Sequence, residues 1–488
     1  ADPKLIEIET RFVEVCQDDL NSLGFEWILN SDYSIGLGKH VSRALGVRNG
    51  TWGSNTGSRT VTQELNYTTD TLNGSTIPTM RSVTTDSTSG STPASFSAHA
   101  HDRGDEEDIT FQQLRGDLDL IWGTATASFN EETATEYGYV SIYNKADMDA
   151  LTEGSRSFGQ FTDAVWHETA NEGMPTMTEM TLKAIDLLDD DEDGFFLMVE
   201  GSKVDYGAHS QDPVEVITEL LEFDRAVKVV MDFAKKDGNT TVVFVPDHGN
   251  CGIQIGGGGY PDYETNPVDS IYAGIKDVKA SSWKMVSRLQ GCRESAIPSV
   301  FKEWTGITLR PQELRDIRAN MNKVEGNYME VSNTWNLQNV ICRIYRSRTH
   351  LNIIGGQHTG EDVFFGVYNP GGQRPSGVIR NVALNEYLCK VLGLDKPLDD
   401  LTDELFAPHD KVFEGLECSI SDDGPEGCKC LTVKGTDGRT LRIPAYHNVV
   451  YRTDANGNAD TLRTKAACVY ASDNGKFFLD RSLGKRIK

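Results

Sequence analysis

The sequence lacks several features that would assign it to a simple class. No apolar run reaches the roughly 18 residues that a membrane-spanning helix needs, so we predict no transmembrane segment. Positive charge is scarce, because 47 Lys and Arg stand against 73 Asp and Glu and give a formal net charge of −26. Binding to nucleic acid and to anionic membranes depends mainly on Lys and Arg meeting phosphate, so this balance argues against both partners. The first four residues lack the basic and apolar regions of a signal peptide, which leaves a mature, a truncated and a cytoplasmic chain open.

The nine cysteines do not show the paired CxxC spacing of a structural zinc module. A disulfide framework is not expected in a chain of this size. The odd number and the close group of Cys418, Cys428 and Cys430 leave one or two disulfides open beside buried free thiols.

The hydrophobic pattern changes along the chain and predicts three segments. Residues 1–80 form an atypical, loop-rich N-terminal segment, and residues 408–488 show the short strands of a small β-rich domain. Between them, residues 81–407 alternate apolar β runs with helical periodicity, interrupted by an insertion at about 251–356. This alternation predicts an α/β fold with a doubly wound, largely parallel sheet flanked by helices. The candidate strands before the insertion are Ser82–Thr85, Leu118–Trp122, Phe195–Val199 and Thr240–Val245.

The clearest predicted helix lies between the last two of these strands. Asp212 is its expected N-cap, Pro213 stands in its first turn, Glu215 completes a capping box, and Gly238 ends it. In a doubly wound sheet, ligands bind outside the carboxyl ends of the strands. Glu200 and Asp247 fall at two such ends, where a site is expected.

Three clusters of potential metal ligands surround these positions. Asp205 and His209 are four residues apart, so on a helix they share a face and can bind one metal, with donors suited to zinc. Asp247 and His248 form a second pair, and His358 stands among glycines that permit close backbone approach. A single histidine is more often structural, but three clusters, two of them at successive strand ends, predict a metal site.

Three motifs in these clusters resemble those of alkaline phosphatases in order, spacing and context. They are the run from Phe195 to His209, the sequence Asp247-His248-Gly249-Asn250, and the sequence His358-Thr359-Gly360-Glu361-Asp362. The segment Thr92-Pro93-Ala94, followed by Ala98-His99 and Arg103, also resembles a stretch of this family.

The resemblance implies a set of roles and ligands. Asp205, His209 and His358 would hold one Zn²⁺, Asp247 and His248 a second Zn²⁺, and Glu200 and Thr92 one Mg²⁺, while Arg103 would clamp phosphate. The implied substrate is a small phosphomonoester and the implied location is extracytoplasmic; a homodimer is an assembly that the sequence leaves open. The implied reaction is phosphoryl transfer to an enzyme hydroxyl and then to water.

The nucleophile is the point at which the chain departs from the family pattern. The family's strand ending in a GDG-like motif has no match, and its nucleophile lies well upstream of the segment that Thr92 begins. Ser87 has the right dipeptide, Asp86-Ser87, after a strand, but it lies only five residues before Thr92. With Thr92 in the magnesium place, Ser87 or another hydroxyl would therefore act in an arrangement unlike that of the family. Thr69-Asp70-Thr71 is a weaker candidate, and both can be ordinary turn residues. A catalytically impaired phosphatase-like protein and a secretion-related binding protein that retains the core are therefore the alternative functions.

Two further patterns compete for parts of the chain. Asp189, Asp191, Asp193, Gly194 and Glu200 match the signature of a calcium-binding EF-hand loop. However, Phe195–Val199 has the composition of a buried strand where that motif needs a helix. The segment from Glu9 to Phe25 weakly resembles a piece of a bacterial secretin, without further support later in the chain.

Overall fold

The computed structural model describes residues 34–36, 79–98, 100, 103–116, 118–162, 173–191, 194–255, 268–394, 398–472 and 474–487. The secretin-like segment and the alternative nucleophile at Thr69-Asp70-Thr71 lie outside these residues, as does His99. The chain folds as two units, a first unit of residues 1–41 and 206–378 and a second unit of residues 42–205 and 379–488. Among the helices described, none has the length and apolar content required to cross a membrane.

The second unit contains a five-stranded sheet in which every described pair of neighbours is parallel. The middle strand is almost entirely buried, as expected when both faces of a parallel sheet are covered. This architecture confirms the predicted α/β class and three of the predicted strands. In spatial order the strands are Val140–Ile142, Ser157–Phe161, Leu120–Thr124, Thr79–Ser87 and Phe195–Glu200.

Helices between these strands supply the apolar side chains that cover the sheet. Phe96, Leu114, Ile121 and Phe158 belong to one buried cluster, which joins helix and strand residues. A complete capping box between Thr176 and Glu179 begins the longest of these helices. The helices are Ser91–Ser97, Glu106–Arg115, Glu131–Glu136, Lys145–Asp149 and Met177–Leu188.

The C-terminal part of the second unit is rich in antiparallel strands, as predicted. One sheet is formed by five consecutive strands, Glu417–Ser421, Cys430–Lys434, Thr440–Pro444, Val449–Thr453 and Ala459–Arg463. The predicted hairpin at Asn474-Gly475 is confirmed, because Ala471 pairs with Lys476 and Gly475 has a φ of 65°. A three-stranded sheet joins Ala407–Pro408, Lys476–Leu479 and Val469–Ala471. The helices here are Val382–Val391, Leu398–Leu405, His409–Val412 and Leu483–Ile487.

The cysteines in the described part of the chain are free thiols. Cys430 and Cys468 are fully buried, and Cys418 and Cys428 are partly buried against the same apolar cluster. Of the two alternatives left open by the sequence, the structure therefore supports free thiols for these four residues.

The first unit contains a three-stranded antiparallel sheet that the sequence did not predict. Val242–Phe244 is a strand, as expected, but it pairs antiparallel with Phe365–Tyr368, which pairs in turn with Ser34–Gly36. It is therefore not a neighbour of Phe195–Glu200 in the parallel sheet. A side chain at Gly366 would collide with the Phe244 ring, so the glycine allows the two strands to pair around that aromatic residue.

The long helix Pro213–Asp237 begins and ends where the sequence predicted. Asp212 Oδ1 accepts the N–H groups of Val214 and Glu215, and Gly238 closes the helix with a φ of 75°. The predicted capping box is wrong, because the Asp212 N–H donates to the Gly207 carbonyl at 2.9 Å instead of to Glu215. Asp212 Oδ2 also accepts the Ser282 N–H at 2.6 Å, so one buried carboxylate binds the starts of two helices.

A helical layer occupies residues 282–346 of the first unit and packs on an apolar core that Val214 of the helix Pro213–Asp237 joins. Met285, Leu289, Phe301, Ile341 and Tyr345 are fully buried in it. The helices are Ser282–Leu289, Ile297–Thr305, Pro311–Arg318 and Thr334–Arg346. Three antiparallel pairs complete the unit: Gly249–Asn250 with His358–Thr359, Ile253–Ile255 with Leu351–Ile353, and Met321–Lys323 with Met329–Val331.

Candidate metal centre

A short antiparallel ladder in the first unit brings two of the predicted ligand motifs together. His358 pairs with Asn250, and Thr359 pairs with Gly249. The ladder therefore fixes His358 beside the end of the Asp247-His248-Gly249-Asn250 motif. A side chain at Gly249 would collide with the Glu361 carboxylate, so glycine is needed for this close approach.

The ring of His209 is oriented by a backbone carbonyl of the same glycine-rich loop. His209 Nδ1 lies 2.9 Å from the Gly356 oxygen, and because a carbonyl oxygen can only accept, Nδ1 carries the proton. A neutral His209 then has its lone pair on Nε2, which faces His358 Nε2 at 3.1 Å. Metal-binding histidines commonly have their second ring nitrogen held in this way.

Asp205 completes a group of three ligand atoms with these histidines. It lies one turn before His209 on the helix Ser202–His209, so the helix itself sets the spacing of the two residues. One ligand atom from each of Asp205, His209 and His358 lies within 4.8 Å of the other two. The first two residues are half-buried and His358 is exposed, which leaves the group accessible.

His248 repeats the arrangement with a second partner. Its Nδ1 lies 3.1 Å from the Gly249 carbonyl oxygen, so Nδ1 donates and Nε2 faces Asp247 Oδ2 at 3.1 Å. The His248 ring also stacks on the His358 ring, with 3.6 Å between the centroids. Five predicted site residues therefore converge: Asp205, His209, Asp247, His248 and His358.

The donor set fits zinc. Two nitrogens bound to one tetrahedral Zn²⁺ at about 2.0–2.1 Å stand about 3.3 Å apart, close to the 3.1 Å between His209 Nε2 and His358 Nε2. In the neutral ring that the Gly356 carbonyl favours, Nε2 of His209 directs a lone pair at Nε2 of His358. A divalent cation would satisfy such facing lone pairs.

Four further predicted site residues, Ser87, Thr92, Arg103 and Glu200, belong to the second unit, as Asp205 does. Ser87 ends the strand Thr79–Ser87, and Glu200 ends the neighbouring strand, where it pairs with Thr84. Both thus stand at the carboxyl edge of the parallel sheet, the edge at which α/β proteins bind ligands. Thr92 is the second residue of the helix Ser91–Ser97, and Arg103 is exposed in a turn that precedes the next helix.

A hydroxyl chain that the sequence did not reveal leads away from Ser87. Ser87 Oγ lies 3.3 Å from Ser89 Oγ, whose hydroxyl donates to Thr126 Oγ1 at 2.8 Å. Thr126 in turn donates to Glu106 Oε2 at 2.9 Å. Ser89 and Thr126 are buried, so Ser87 Oγ is connected to a carboxylate through hydroxyls shielded from water.

The EF-hand interpretation is inconsistent with the fold. In an EF-hand the terminal glutamate lies where the exit helix begins. Here Phe195–Glu200 is a strand whose residues pair with Thr79–Thr84 in the parallel sheet. Asp193 lies outside the described residues, and Asp189 is the C-cap of the helix Met177–Leu188.

These observations define a class of protein: an α/β fold that carries a histidine–carboxylate cluster beside a pair of short strands. The family model described as alkaline phosphatase matches residues 128–394. Alkaline phosphatase 3 of Bacillus subtilis is 28% identical over 333 residues, which cover 65% of this chain and 69% of that protein. Alkaline phosphatase 4 of the same organism is 26% identical, and the matched residues cover 64% of this chain and 67% of that protein.

Solved structures agree with this assignment at the level of the fold. The cold-active alkaline phosphatase from Shewanella sp. has a TM-score of 0.57 at 20% identity, covering 74% of this chain and 90% of that one. The Thermus thermophilus alkaline phosphatase has a TM-score of 0.59 at 19% identity, covering 75% and 84%. The chain belongs to the alkaline phosphatase family. By family it is a phosphoric monoester hydrolase with metal cofactors.

Proposed function

We propose that this chain hydrolyses small phosphomonoesters with two Zn²⁺ and one Mg²⁺. Asp205, His209 and His358 would hold one zinc ion, and Asp247 and His248 the other. Glu200 and Thr92 would hold magnesium. The observation that carries the proposal is the convergence of the Nε2 atoms of His209 and His358 with Asp205.

The metals, when bound, would supply positive charge that lowers the pKa of a hydroxyl and offsets charge on the phosphoryl oxygens. Ser87 is the proposed nucleophile. Its Oγ forms a bond to phosphorus as the ester oxygen departs with the alcohol, and water then cleaves the phosphoserine. Arg103 would bind two phosphoryl oxygens through its guanidinium fork.

The buried hydroxyl chain supports Ser87 as the nucleophile. Since Thr126 donates to Glu106 and Ser89 donates to Thr126, the lone pairs of Ser89 Oγ are directed toward Ser87. The Ser87 hydroxyl can therefore donate its proton to Ser89 Oγ. Its oxygen lone pairs then point away from this chain of hydroxyls. Glu106 is in this view a positioning residue that acts through Ser89 and Thr126.

Hydrolysis of p-nitrophenyl phosphate at alkaline pH, with and without zinc and magnesium, tests the proposal. We expect activity in the wild type that is lost on metal removal and that falls by more than a hundredfold in His358→Ala and in Ser87→Ala. His350→Asn is the matched control, because His350 lies outside the cluster on the same unit, and it should keep both metal and activity. Bound zinc without hydrolysis in the wild type would indicate the catalytically impaired alternative. Activity retained in Ser87→Ala would exclude that residue as the nucleophile.

Location and assembly are finer parts of the proposal. The family resemblance supports an extracytoplasmic site of action, which cell fractionation would test. A homodimer is the assembly that we propose, and light scattering of the purified chain would distinguish it from a monomer.

A further inference from the structure

A polar cavity of about 340 Å³ lies within the first unit, and its lining includes none of the side chains proposed as metal ligands. One glutamine, three asparagines, two arginines and Val340 line it. No carboxylate belongs to this lining, although the chain as a whole carries a net charge of −26. The cavity is therefore a locally positive, donor-rich place in an acidic protein.

One helix supplies most of the lining through a regular stripe. Asn336, Asn339, Arg343 and Arg346 follow one another at steps of three, four and three residues along the helix Thr334–Arg346. This spacing places them on one face. The opposite face includes Leu337 and Ile341, which are buried in the helical layer. Packing of the apolar face thus fixes the direction in which the polar stripe points.

The two arginines of the cavity differ from other arginines of the same layer. Arg318 pairs with Glu294 Oε1 at 3.5 Å, and Arg348, just after the layer, pairs with Glu313 at 2.8 Å. Among the residues that the structure describes, no carboxylate forms an ion pair with Arg343 or Arg346. Their positive charge is therefore not neutralised within the described layer.

Gln211 holds one of these arginines in place. Arg346 Nη1 donates to Gln211 Oε1 at 2.5 Å, while Gln211 Nε2 donates to the Gly355 carbonyl at 2.8 Å. Gln211 has a φ of 56°, a left-handed conformation that is uncommon for a residue with a long side chain. The backbone of Gln211 is strained, and both the oxygen and the nitrogen of its side-chain amide are hydrogen-bonded. Gln211 therefore forms a preorganised part of the cavity wall.

We propose that this cavity binds an anionic group, a phosphate or a carboxylate, at a site separate from the metal centre. Arg343 and Arg346 would donate charged hydrogen bonds to its oxygens, and Asn336 and Asn339 would donate neutral ones. Gln211 follows the proposed ligand His209 by two residues, so the wall of the cavity and the metal centre share one loop. The anionic group can thus belong to a second part of the substrate or to a free anion.

Binding of methylenediphosphonate and of succinate to the full-length chain, measured by calorimetry, tests this site. The first probe carries non-hydrolysable phosphonates and the second carries carboxylates. In Arg343→Gln we expect at least a tenfold loss of affinity for one probe or both, because a charged hydrogen bond contributes roughly this factor or more. Arg315→Gln removes the same charge from a neighbouring helix and should bind as the wild type does. Equal affinities in the two variants would overturn the proposal, whatever the state of the metal centre.

A kinetic comparison identifies the source of the anion. We would measure the ratio of kcat/KM for a phosphomonoester with a second anionic group, such as phosphoserine, to that for phenyl phosphate. A tenfold fall of this ratio in Arg343→Gln, and not in Arg315→Gln, assigns the cavity to the substrate. An unchanged ratio together with lost probe binding assigns it to a free anion. If the wild type hydrolyses neither ester, the proposed function fails while the binding measurement still decides this inference.

Discussion

The imidazole ring of His248 stacks on that of His358, with 3.6 Å between centroids and 21° between planes. His358 Nε2 faces His209, whereas His248 Nε2 faces Asp247. The stacked rings therefore present nitrogens to two different partners, as the two proposed zinc sites require. It also raises the question of whether His248 is a ligand or only a packing surface.

Replacing His248 by phenylalanine and by alanine separates these roles. Phenylalanine keeps a ring against His358 but has no nitrogen, so we expect bound zinc to fall from two ions to one in both variants. Metal content by mass spectrometry of the purified chain is the measurement. Two zinc ions in His248→Phe and one in His248→Ala would show instead that the ring only supports His358.

Gly249 should be intolerant of even one methyl group. In Gly249→Ala the new Cβ would collide with Glu361 and lie 2.9 Å from Thr359 Oγ1, so the ladder that holds His358 must shift. We expect zinc affinity to fall by about tenfold or more, as for the loss of groups that orient ligands. Competition with a chromogenic chelator measures this. Gly360→Ala is the control, because no atom lies within 4 Å of its Cβ position; equal affinities in the two variants would contradict the argument.

Glu106 should affect turnover rather than substrate binding. In Glu106→Gln the neutral amide replaces the carboxylate that accepts the Thr126 hydroxyl, which weakens the orientation of the chain leading to Ser87. We expect kcat to fall about tenfold with KM little changed. The control is Glu107→Gln, an exposed neighbour on the same helix. A parallel rise in KM, or an unchanged kcat, would mean that the chain of hydroxyls does not support Ser87 as the nucleophile.

Because Cys468 is buried, we expect the stability of the protein to fall as the pH rises in the alkaline range. Burial raises the pKa of this thiol to about 12, whereas an unfolded thiol ionises near pH 8.5. The contribution of the thiol to stability is therefore complete below about pH 8.5 and is lost as the pH rises toward 12. Thermal unfolding between pH 8 and 11 should show a shallower loss of stability in Cys468→Ala than in the wild type. Identical slopes in Cys468→Ala and the wild type would refute the assignment.

Local signals in the sequence predicted the elements better than their partners. The helix Pro213–Asp237 was predictable because its cap, its proline and its final glycine act within a few residues of its ends. The strand Val242–Phe244 was also predictable, but its antiparallel partner Phe365–Tyr368 lies more distant in the chain and no local pattern specifies it. Gly366 offered the one clue, since a glycine within an apolar strand indicates close approach.

The same distinction applies to the candidate site. The spacing of Asp205 and His209 predicted a shared helix face, and the structure places both on one helix. The carbonyl of Gly356, which fixes the His209 ring, could not be predicted, because every residue has a carbonyl and the side-chain type carries no signal. The hydroxyl chain through Ser89 and Thr126 was missed for a related reason: serine and threonine are common in turns.

The ladder beside the metal centre continues into a longer paired stem. Beyond Gly249–Asn250, the backbone N–H of Cys251 donates to the carbonyl of Gln357, and Ile253–Ile255 pairs with Leu351–Ile353. The intervening helical layer is attached at this paired base and also by the Asp212 carboxylate, which accepts the Ser282 N–H at the start of the layer's first helix. A layer of different sequence grafted onto this base would therefore have to keep a helix whose first N–H meets Asp212, while the ladder that carries His358 would remain unchanged.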